Sequence, residues 1–596
     1  MIISKPLKGD VKKSMDFFDY MLVLSKYALI IFSLIVIERA LRSMLSEKYD
    51  DEIWAYVRSG KERVPVCHWE NLIGRSPSAD IRVYAPGISG VHAVLCRNDK
   101  GQWKIYDVFS RGGVWINQLQ AGYGGAPVRD GDVINLAGTR LTFIELEGEK
   151  IGKLEKKRSV AGSRVFPAVT LVWLTLFQST LLMQLLMSCE PDYSGRISLA
   201  FVSVIVLQWL CFTAMRMINK SGFELETLAF FMTSIGISDA ASPTPEDMYK
   251  QSILVIASVF LFSLFGWWLR DLKRASSMRV PFAMIAGVLL ALNLFAGNSI
   301  FGAKNWLTIA GYSFQPSEFV KVFYIYVGAS TLERLYMRQN LYAFVGFSAL
   351  CVTALAFMGD FGSALVFFVC FLVISFMRSG SIATVVLSIS SAVIAGLMAV
   401  SARPYVAQRF ATWGHAWEDV FDKGYQQVRT MSAAAAGGLF GKGAGSGWLQ
   451  SIVAANTDMV FGVVSEELGL LIALSAVLAI AAIAVFAVRS ARHCRSAFYS
   501  IAACASVTIM LAQMALNILG SMDILPFTGV TFPFLSRGGS SLISCWMLLA
   551  YIKGSDNRRE ASFVVRNAEN YTRPEDPRLK DEGVSRDPKP AEVKKA

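Results

Sequence analysis

The sequence predicts a mainly α-helical, polytopic membrane protein that carries one inserted all-β domain. The chain has 596 residues, of which 54% are hydrophobic and 17% are charged, against about 45–50% and about 25% in a typical soluble domain. The apolar excess lies in runs of about 17–25 residues, the length that crosses a bilayer as a helix. One long stretch, from Arg42 to Arg164, has no such run and instead alternates short β-type segments with turns.

The charge and cysteine content exclude several other classes. The formal net charge is +12, but the basic residues cluster in short connectors between apolar runs, as cytoplasmic loops do. No basic stripe is interleaved with aromatic residues, as a nucleic-acid-binding surface would require. The nine cysteines form no CxxC pairs or Cys/His clusters, so neither a disulfide framework nor a zinc site is expected.

The apolar runs divide the chain into five regions. We expect an N-terminal membrane anchor, a cytoplasmic sandwich domain, two extra transmembrane helices, a membrane domain of ten spans, and a disordered, charged tail. Their bounds are 1–45, 50–150, 160–220, 221–553 and 554–596. The ten spans are predicted to start near Leu225, Ser252, Pro281, Glu318, Ala343, Phe361, Ala383, Met459, Phe498 and Ser541.

Basic connectors follow every second span and indicate the orientation. They lie at 270–274, 333–338, 377–378 and 489–495. Since cytoplasmic loops carry the excess of Lys and Arg, the long loop 403–456 is predicted to be external and the inserted domain cytoplasmic. The same count puts residues 1–16 outside, although they hold four lysines. Either the rule fails there, or the first apolar run, Tyr20–Ile37, does not fully cross.

Short β-type segments with regular turn signals predict a β-sandwich in the inserted domain. They are Asn71–Gly74, Ile81–Tyr84, His92–Cys96, Trp103–Asp107, Val114–Ile116, Val133–Leu136 and Leu141–Glu145. The domain resembles the forkhead-associated (FHA) family through Leu72-Ile-Gly-Arg-Ser76, Ile88-Ser-Gly-Val-His-Ala93, Asp107-Val-Phe-Ser110, Trp115-Ile-Asn117 and Asp130-Gly-Asp-Val-Ile134.

The FHA resemblance implies a phosphothreonine site at Arg75 and Ser89, since guanidinium and hydroxyl groups are strong phosphate partners. Two positions depart from the family. Gly90 stands where the family usually has Arg, and Gly112 where it has Asn. Binding of a phosphothreonine-containing cytoplasmic protein and a sandwich without a phosphate site both stay open, and His92 is interpreted as a buried residue that braces a turn.

Four polar stretches interrupt the membrane domain where a plain anchor would not need them. They contain Lys304 to Gln315-Pro-Ser-Glu318 with Lys321; Gly359-Asp-Phe-Gly-Ser363; Asp419 through Gly424-Tyr-Gln426 to Glu466-Glu-Leu-Gly469; and Pro526 to Pro533-Phe-Leu-Ser-Arg-Gly-Gly-Ser-Ser541. From about Leu225 to Lys553 these motifs resemble, in order, the SEDS family of shape, elongation, division and sporulation proteins, which includes FtsW and RodA. The resemblance implies a bacterial inner-membrane enzyme that polymerises lipid II beside a class B penicillin-binding protein.

The chemistry of that reaction sets which groups are needed. Lipid II carries its sugar on a diphosphate, which is a good leaving group, so the enzyme needs one base for the acceptor hydroxyl and cations for the diphosphate. The linkage inverts in one displacement, so no nucleophilic carboxylate is required, unlike in a retaining glycosidase. A divalent cation, Mg²⁺ or Mn²⁺, at the diphosphate stays open, and no other cofactor is expected.

The SEDS resemblance implies the catalytic role for Asp419, which precedes Gly-Tyr-Gln in the external loop; Asp422 is an extra carboxylate. The substrate-binding candidates are Arg409, Lys321, Glu318, Lys304, Asp458, Glu467 and Ser540. An internal Glu318–Lys321 pair is the structural alternative for those two, because an intramembrane charge is costly. Asp360, Asp458 and Glu467 lie at span ends and are alternatively helix-start residues stabilised by the helix dipole. Arg409 alternatively orients the external loop. Asn456 and Arg537 depart from the usual His and Tyr of the family.

Two other functions compete with polymerisation. A lipid II flippase needs charges near the bilayer midplane, whereas a polymerase needs an external carboxylate, so the position of Asp419 favours the enzyme. A non-catalytic scaffold for cell division would need neither Asp419 nor the motif Gln315–Glu318. Division, elongation and sporulation roles all stay open.

Overall fold

The computed structural model describes residues 17–46, 52–76, 79–98, 101–121, 124–157, 160–270, 277–300, 303–309, 312–332, 338–379, 382–402, 404–559 and 561. The chain divides into two compact units, one made of residues 1–50 with 158–565 and the other of residues 51–157 with 566–596. The described part of the first unit is mostly helical, and that of the second is mostly β.

The β unit is a sandwich of two sheets followed by a short helix. Its strands are β1 (Ala55–Ser59), β2 (Glu62–Val66), β3 (Glu70–Gly74), β4 (Ile81–Arg82), β5 (Ala93–Arg97), β6 (Trp103–Asp107), β7 (Val114–Ile116), β8 (Leu119–Gln120), β9 (Ala126–Val128), β10 (Val133–Leu136) and β11 (Thr139–Glu145). The sheet orders are β2-β1-β11-β10-β7-β8 and β4-β3-β5-β6-β9. Trp103 of one sheet meets Phe143 of the other edge-on, with ring centroids 5.4 Å apart, so aromatic packing joins the two layers.

The predicted sandwich is confirmed, with all seven expected strands in place and β6, β7 and β10 at the predicted bounds. Four strands, β1, β2, β8 and β9, were not predicted. In β2 the sequence Glu62-Arg-Val-Pro-Val66 has a proline at a position where β2 pairs on one side only. Proline usually argues against a strand but is tolerated at a sheet edge.

The helical unit begins with three helices that precede the region of SEDS resemblance. In chain order the elements are α1 (Phe17–Ser46), then α2 (Gly148–Lys157) at the end of the β unit, then α3 (Pro167–Ser188) and α4 (Ser194–Met217). We call α1, α3 and α4 the accessory helices. A buried amide joins α3 to α4 and to the body: Gln178 donates to Gln208 Oε1 (3.0 Å) and to Ser234 Oγ (2.8 Å). Such interhelical hydrogen bonds hold helices together where lipid gives no hydrophobic drive.

The described part of the body contains fourteen α-helices, several of them too short to cross a membrane. They are α5 (Glu224–Ala241), α6 (Met248–Trp268), α7 (Arg279–Ala296), α8 (Pro316–Leu332), α9 (Arg338–Phe357), α10 (Phe361–Ser379), α11 (Ile382–Ala402), α12 (Pro404–Thr412), α13 (Tyr425–Gly437), α14 (Ala455–Asp458), α15 (Val460–Glu467), α16 (Leu470–Arg492), α17 (Ala497–Ser521) and α18 (Gly539–Ser555). A small sheet of β12 (Asn298–Ile300), β13 (Ala303–Ile309) and β14 (Tyr312–Phe314) follows α7.

Eight described helices are long and apolar enough to cross a membrane, and the shorter apolar segments Phe361–Met377 and Ile382–Leu397 accompany them. The protein is therefore a multi-pass membrane protein. Helix α5 is not among these eight helices because of its acidic residues. It is buried over its whole length, so these residues are surrounded by protein rather than by lipid.

The eighth span, predicted as one helix that starts near Met459, consists of two helices in the structure. Helix α15 ends at Glu467, and the membrane-length helix α16 starts only at Leu470. Gly469 between them has φ +94°, and a Cβ atom there would overlap the Leu439 carbonyl oxygen. Glycine is therefore required at the break by both conformation and space.

The chain remains buried beyond the point where the disordered tail was predicted to start. Arg558 forms ion pairs with Glu224 (3.2 Å) and Asp556 (2.9 Å), and Lys553 pairs with Glu226 (3.1 Å). All of these side chains are almost fully buried. The predicted start at Gly554 is wrong for residues 554–558, because they close a charged network at the start of α5; residues 562–596 lie outside the described part.

Helix α1 extends from this network to the opposite surface of the body. Near its C-terminal end, Ser43 donates to Glu224 Oε1 (2.6 Å). Near its start, Lys26 donates to the Gly441 carbonyl (3.0 Å). Seventeen residues of helix separate the two contacts and span roughly 26 Å at 1.5 Å per residue. Helix α1 is also long and apolar enough to cross a membrane.

Candidate active site

All four polar stretches of the membrane domain meet around one cavity of about 280 Å³. Its wall is formed by Ala303, Asn305, Trp306 and Gln315 from the first stretch, Gly359, Asp360 and Phe361 from the second, Ala454, Thr457 and Asp458 from the third, Thr528, Gly529, Thr531, Arg537, Gly538, Ser540 and Ser541 from the fourth, and Arg409. Motifs separated by more than 200 residues in sequence thus share one site.

Two carboxylates border the cavity in different surroundings. Asp360 caps α10: its oxygens accept from the Ser363 backbone N–H (3.0 Å) and hydroxyl (2.8 Å), and Gln315 also donates to it (3.4 Å). Asp458 ends the single turn α14 outside the membrane-spanning helices. Although the residue is partly exposed to the cavity, desolvation by the surrounding protein raises the pKa of its carboxyl group to about 6, against the lowering effect of Thr457 and Arg409.

Two arginines supply positive charge to the same wall. Arg409 in α12 donates to the Thr528 carbonyl (3.5 Å). Arg537 forms an ion pair with Asp247 (2.7 Å), and its backbone N–H donates to the Asn456 carbonyl (2.8 Å). Asn456 in turn donates to Asp239 Oδ1 (3.1 Å). The backbones of the two positions that depart from the family pattern are therefore hydrogen-bonded to each other, and of the two residues Arg537 lines the cavity.

Only part of the predicted substrate-binding set lies on the wall. Arg409, Asp458 and Ser540 do, and Ser540 Oγ also accepts the Gln315 backbone N–H (3.3 Å). Lys304 is exposed on β13 beside the wall, and its backbone is tied to the Met358 carbonyl (2.8 Å).

Glu318 and Lys321 lie elsewhere, in the core of the body. Their charged atoms are 2.7 Å apart, and their side chains are only 3% and 2% exposed. Ser544 of α18 donates to the second oxygen of Glu318 (2.8 Å). The pair is thus the internal one that the sequence left as an alternative, and each charge is compensated within the protein.

Glu467 is also buried, and it binds a hydroxyl and a backbone N–H away from the cavity. Its oxygens accept from the Ser242 hydroxyl (2.8 Å) and from the Gly445 N–H (2.9 Å). The preceding Glu466 pairs with Lys442 (2.5 Å) and accepts the N–H groups of Trp448 (3.1 Å) and Leu449 (2.9 Å). Both carboxylates therefore hold the loop that follows α13.

Asp419 lies in the connection between α12 and α13, outside the cavity wall. The residue is half-buried, its carbonyl accepts the Gly424 N–H (3.0 Å), and no described residue forms a hydrogen bond or ion pair with its carboxylate. A Cβ atom at Gly424 would overlap the Ala416 carbonyl, so glycine is needed to close this loop.

Asp523 fastens the connection that carries Asp419 to the cavity. Its carboxylate accepts the N–H groups of Gly414 (3.1 Å) and Ala416 (3.2 Å), and Trp413 donates to the Ile524 carbonyl (2.9 Å). The chain from Asp523 continues to Thr528 in the wall. The base predicted from the sequence is therefore in a loop that adjoins the wall.

Sequence reasoning missed several wall residues. Trp306, Asn305 and Gln315 belong to the first motif, but nothing in their spacing shows that they face a cavity. The sequence identified Asp360 only as a residue at a span end; in the structure it both caps α10 and lines the cavity. In the described part of the chain, no group of three or more His, Cys, Asp or Glu side chains could hold a metal ion; these residues do not form a metal site by themselves.

In the β unit, the chain segments of Arg75 and Ser89 lie side by side. The Arg75 N–H donates to the Ser89 carbonyl (3.1 Å), and the Ser76 N–H donates to the Gly90 carbonyl (2.9 Å). The Arg75 side chain is exposed, and Ser89 Oγ accepts the Arg111 N–H (3.4 Å). Two of the residues that the FHA resemblance identifies are thus brought together at one surface.

The remaining FHA positions show which departures the fold tolerates. His92 is fully buried; its Nδ1 accepts the Ser89 N–H (3.1 Å) and its Nε2 lies 3.1 Å from the Gly113 carbonyl, which confirms the turn-bracing role. A Cβ atom at Gly90 would meet open space, whereas one at Gly112 would overlap the Ala137 side chain. The fold therefore admits the usual Arg at position 90 but not the usual Asn at position 112.

The family model described as cell cycle protein, for FtsW, RodA and SpoVE, matches residues 225–559. That region is more than half of the chain. The chain belongs to this family. A model of the FHA domain matches residues 71–137, so the inserted sandwich is an FHA domain, and both resemblances predicted from the sequence are confirmed.

Individual FtsW/RodA/SpoVE-family relatives match the same region. A probable peptidoglycan glycosyltransferase FtsW of Borreliella burgdorferi is 32% identical over 269 residues, which cover 44% of this chain and 73% of that protein. A peptidoglycan glycosyltransferase RodA of Mycobacterium bovis is 27% identical over 325 residues, with 51% and 69% covered. A solved structure from work on coordination of polymerization and crosslinking by a peptidoglycan synthase complex is 24% identical, covers 56% of this chain and 98% of its own, and gives a TM-score of 0.47.

The raised pKa of Asp458 predicts that replacing it stabilises the protein. A carboxyl group whose pKa is raised on folding contributes stability at low pH that is lost as the pH rises from about 4 to about 6. Above pH 6 the ionised group costs about 1–2 kcal/mol, allowing for water in the cavity. Thermal unfolding of purified Asp458→Asn protein should therefore show a higher melting temperature than wild type at pH 8 and a smaller gain at pH 4.5. An equal gain at both values, or a lower melting temperature at pH 8, would contradict the assignment.

Proposed function

We propose that the protein is an inverting peptidoglycan glycosyltransferase that polymerises lipid II into glycan strands. The observation that carries the proposal is the single cavity in which all four family motifs meet, with two arginines and two carboxylates on its wall. Relatives that match over 69–73% of their own length are named peptidoglycan glycosyltransferases. Family membership and cavity chemistry thus support the same activity.

In this proposal the donor diphosphate binds in the cavity. Arg409 and Arg537 face it, and guanidinium groups bind phosphate oxygens through paired, charge-assisted hydrogen bonds. Cations at this position also stabilise the negative charge that develops on the departing diphosphate. Arg537 is already tied to Asp247, which fixes its side chain before the substrate arrives.

Asp419 is the proposed base for the acceptor sugar. Its carboxylate takes the proton of the acceptor hydroxyl, whose oxygen forms the new bond to the anomeric carbon of the donor. The bond between that carbon and the diphosphate oxygen breaks with inversion, and the diphosphate leaves with the electron pair. Asp419 lies outside the donor cavity, on a loop that Asp523 holds beside it. This position is suitable for a base that contacts the acceptor sugar rather than the donor.

We further propose that the protein lies in the bacterial cytoplasmic membrane with the cavity toward the outside and the FHA domain in the cytoplasm. The basic connectors of the body favour this orientation, and α1 is long enough to cross. A class B penicillin-binding protein is the proposed partner, on the strength of the family resemblance. A flippase is less well supported, because the intramembrane charges Glu318 and Lys321 neutralise each other and do not face the cavity.

Removal of the proposed base gives the first test of this function. Purified Asp419→Asn protein should lose at least about 10²-fold in lipid II polymerisation, the usual effect of removing a general base, while melting at the wild-type temperature. Asp422→Asn is the matched control, because Asp422 is an exposed carboxylate in the same loop, and it should polymerise normally. Near-normal glycan synthesis by folded Asp419→Asn protein would refute the assignment; loss in Asp422→Asn alone would transfer the role to Asp422.

The FHA domain is proposed to bind a phosphothreonine-containing cytoplasmic protein. Arg75 and Ser89 lie together at its surface, and the exposed guanidinium of Arg75 is a strong phosphate partner. The FHA family usually has Arg at position 90, and the open space at Gly90 would accommodate that side chain. This chain therefore lacks the family's second cation although the fold has room for it. Weak binding is therefore expected.

A fragment of residues 50–150 can test this binding, since the unit has its own core. It should bind a phosphothreonine peptide at least tenfold more tightly than the unphosphorylated peptide. A hydrogen bond to a charged group contributes about 1.5 kcal/mol, which corresponds to about tenfold in affinity. Arg75→Ala should abolish the difference, and Gly90→Arg should increase it. Equal binding of both peptides across a broad phosphopeptide library, also by Gly90→Arg, would show a protein-docking sandwich without a phosphate site.

A further inference from the structure

The loop that follows α13 is held from two sides. We call residues 438–447 the glycine-rich loop. On one side is the break in the eighth span: the Lys442 N–H donates to the Glu466 carbonyl (2.9 Å) and the Gly443 N–H donates to the Glu467 carbonyl (2.8 Å). On the other side are two accessory helices, which lie outside the family-matched region 225–559.

Helices α1 and α3 contact the glycine-rich loop through polar side chains. Lys26 donates to the Gly441 carbonyl (3.0 Å). Gln184 accepts the Ala444 N–H (3.2 Å) and donates to Ser25 Oγ (2.8 Å). Gln184 and Ala444 are both fully buried, so their bond cannot be replaced by water without cost. An aromatic contact adds to this surface, with the rings of Tyr27 and Phe440 5.1 Å apart.

The glycine-rich loop leads directly into the cavity wall. Next in the chain come Trp448 and Leu449, whose N–H groups bind Glu466. Leu449 packs in a small core with Ala455 and Met459, and the segment between them contributes Ala454, Thr457 and Asp458 to the wall. A displacement of the loop would therefore be transmitted to Asp458 through covalent connection and close packing.

We propose that Lys26 and Gln184 are positioning residues of the active site, which act through the glycine-rich loop to hold the part of the cavity wall that contains Asp458. The accessory helices then complete a site whose chemistry lies in the family region. The effect on activity rests on the proposed function, but the effect on the loop does not.

Hydrogen–deuterium exchange of the full-length protein in detergent tests the proposal. Gln184→Leu and Lys26→Met each remove one hydrogen bond to the glycine-rich loop, so peptides covering residues 438–449 should exchange about tenfold faster, the factor that corresponds to one lost hydrogen bond. Peptides from α17 should be unchanged. Lys26→Arg keeps a donor and should restore slow exchange, and Ser179→Ala, on the exposed face of α3, should match wild type.

The same variants give a kinetic readout. If the wall positions the reacting groups, kcat for lipid II polymerisation should fall by about tenfold with a smaller change in KM, because misplacement by about 1 Å already reduces rates strongly. Unchanged exchange of 438–449 in both variants overturns the proposal, as does equal acceleration in α17, which would mean general destabilisation. If wild-type protein makes no glycan, the proposed function fails, while the exchange result still decides whether the helices hold the loop.

Discussion

Two adjacent buried carboxylates, Glu466 and Glu467, support the irregular segments between the long helices of this membrane protein. A backbone that leaves helical form at membrane depth must find internal hydrogen-bond partners, because lipid offers none. Here the eighth span breaks at Gly469. The carboxylates that precede the break bind the N–H group of Gly445 in the glycine-rich loop and those of Trp448 and Leu449 directly after it. The cavity wall that follows this loop, and the contacts of the accessory helices with it, both depend on these bonds.

Much of the fold follows from the sequence because its patterns are strong. Ten apolar runs predict the spans, and alternating segments with turns predict the sandwich. The break in the eighth span could not be predicted, since Val460–Leu478 has no charged residues apart from Glu466 and Glu467. The partners of these carboxylates lie about 20 positions earlier in the chain and, for Glu467, also at Ser242. The buried end of the chain was missed for a similar reason: Arg558 looks like any charged tail residue until Glu224, more than 300 residues away, is seen beside it.

Part of the candidate site could also be predicted from the sequence, because its residues lie in recognisable motifs. Motif content identifies which stretches matter, and Arg409, Asp458 and Ser540 do lie on the wall. Charge alone cannot tell a residue that faces substrate from one that pairs inside the protein, as Glu318 and Lys321 do. Nor does the sequence show that Asn456 and Arg537, two separate departures from the family pattern, are hydrogen-bonded neighbours. Their side chains have different partners, Asp239 for Asn456 and Asp247 for Arg537.

The central claim is that the lipid-linked sugar donor binds in the cavity where the four motifs meet. Photo-crosslinking tests it most directly, with a benzophenone amino acid in place of Trp306 on the wall and, as a matched control, in place of Leu397, which is 67% exposed on α11. With labelled lipid II, the account predicts an adduct at position 306 that excess unlabelled lipid II suppresses, and at most weak, unsuppressed labelling at position 397. Equal labelling at both positions, or no suppressible adduct at position 306 in protein that still polymerises, would contradict it.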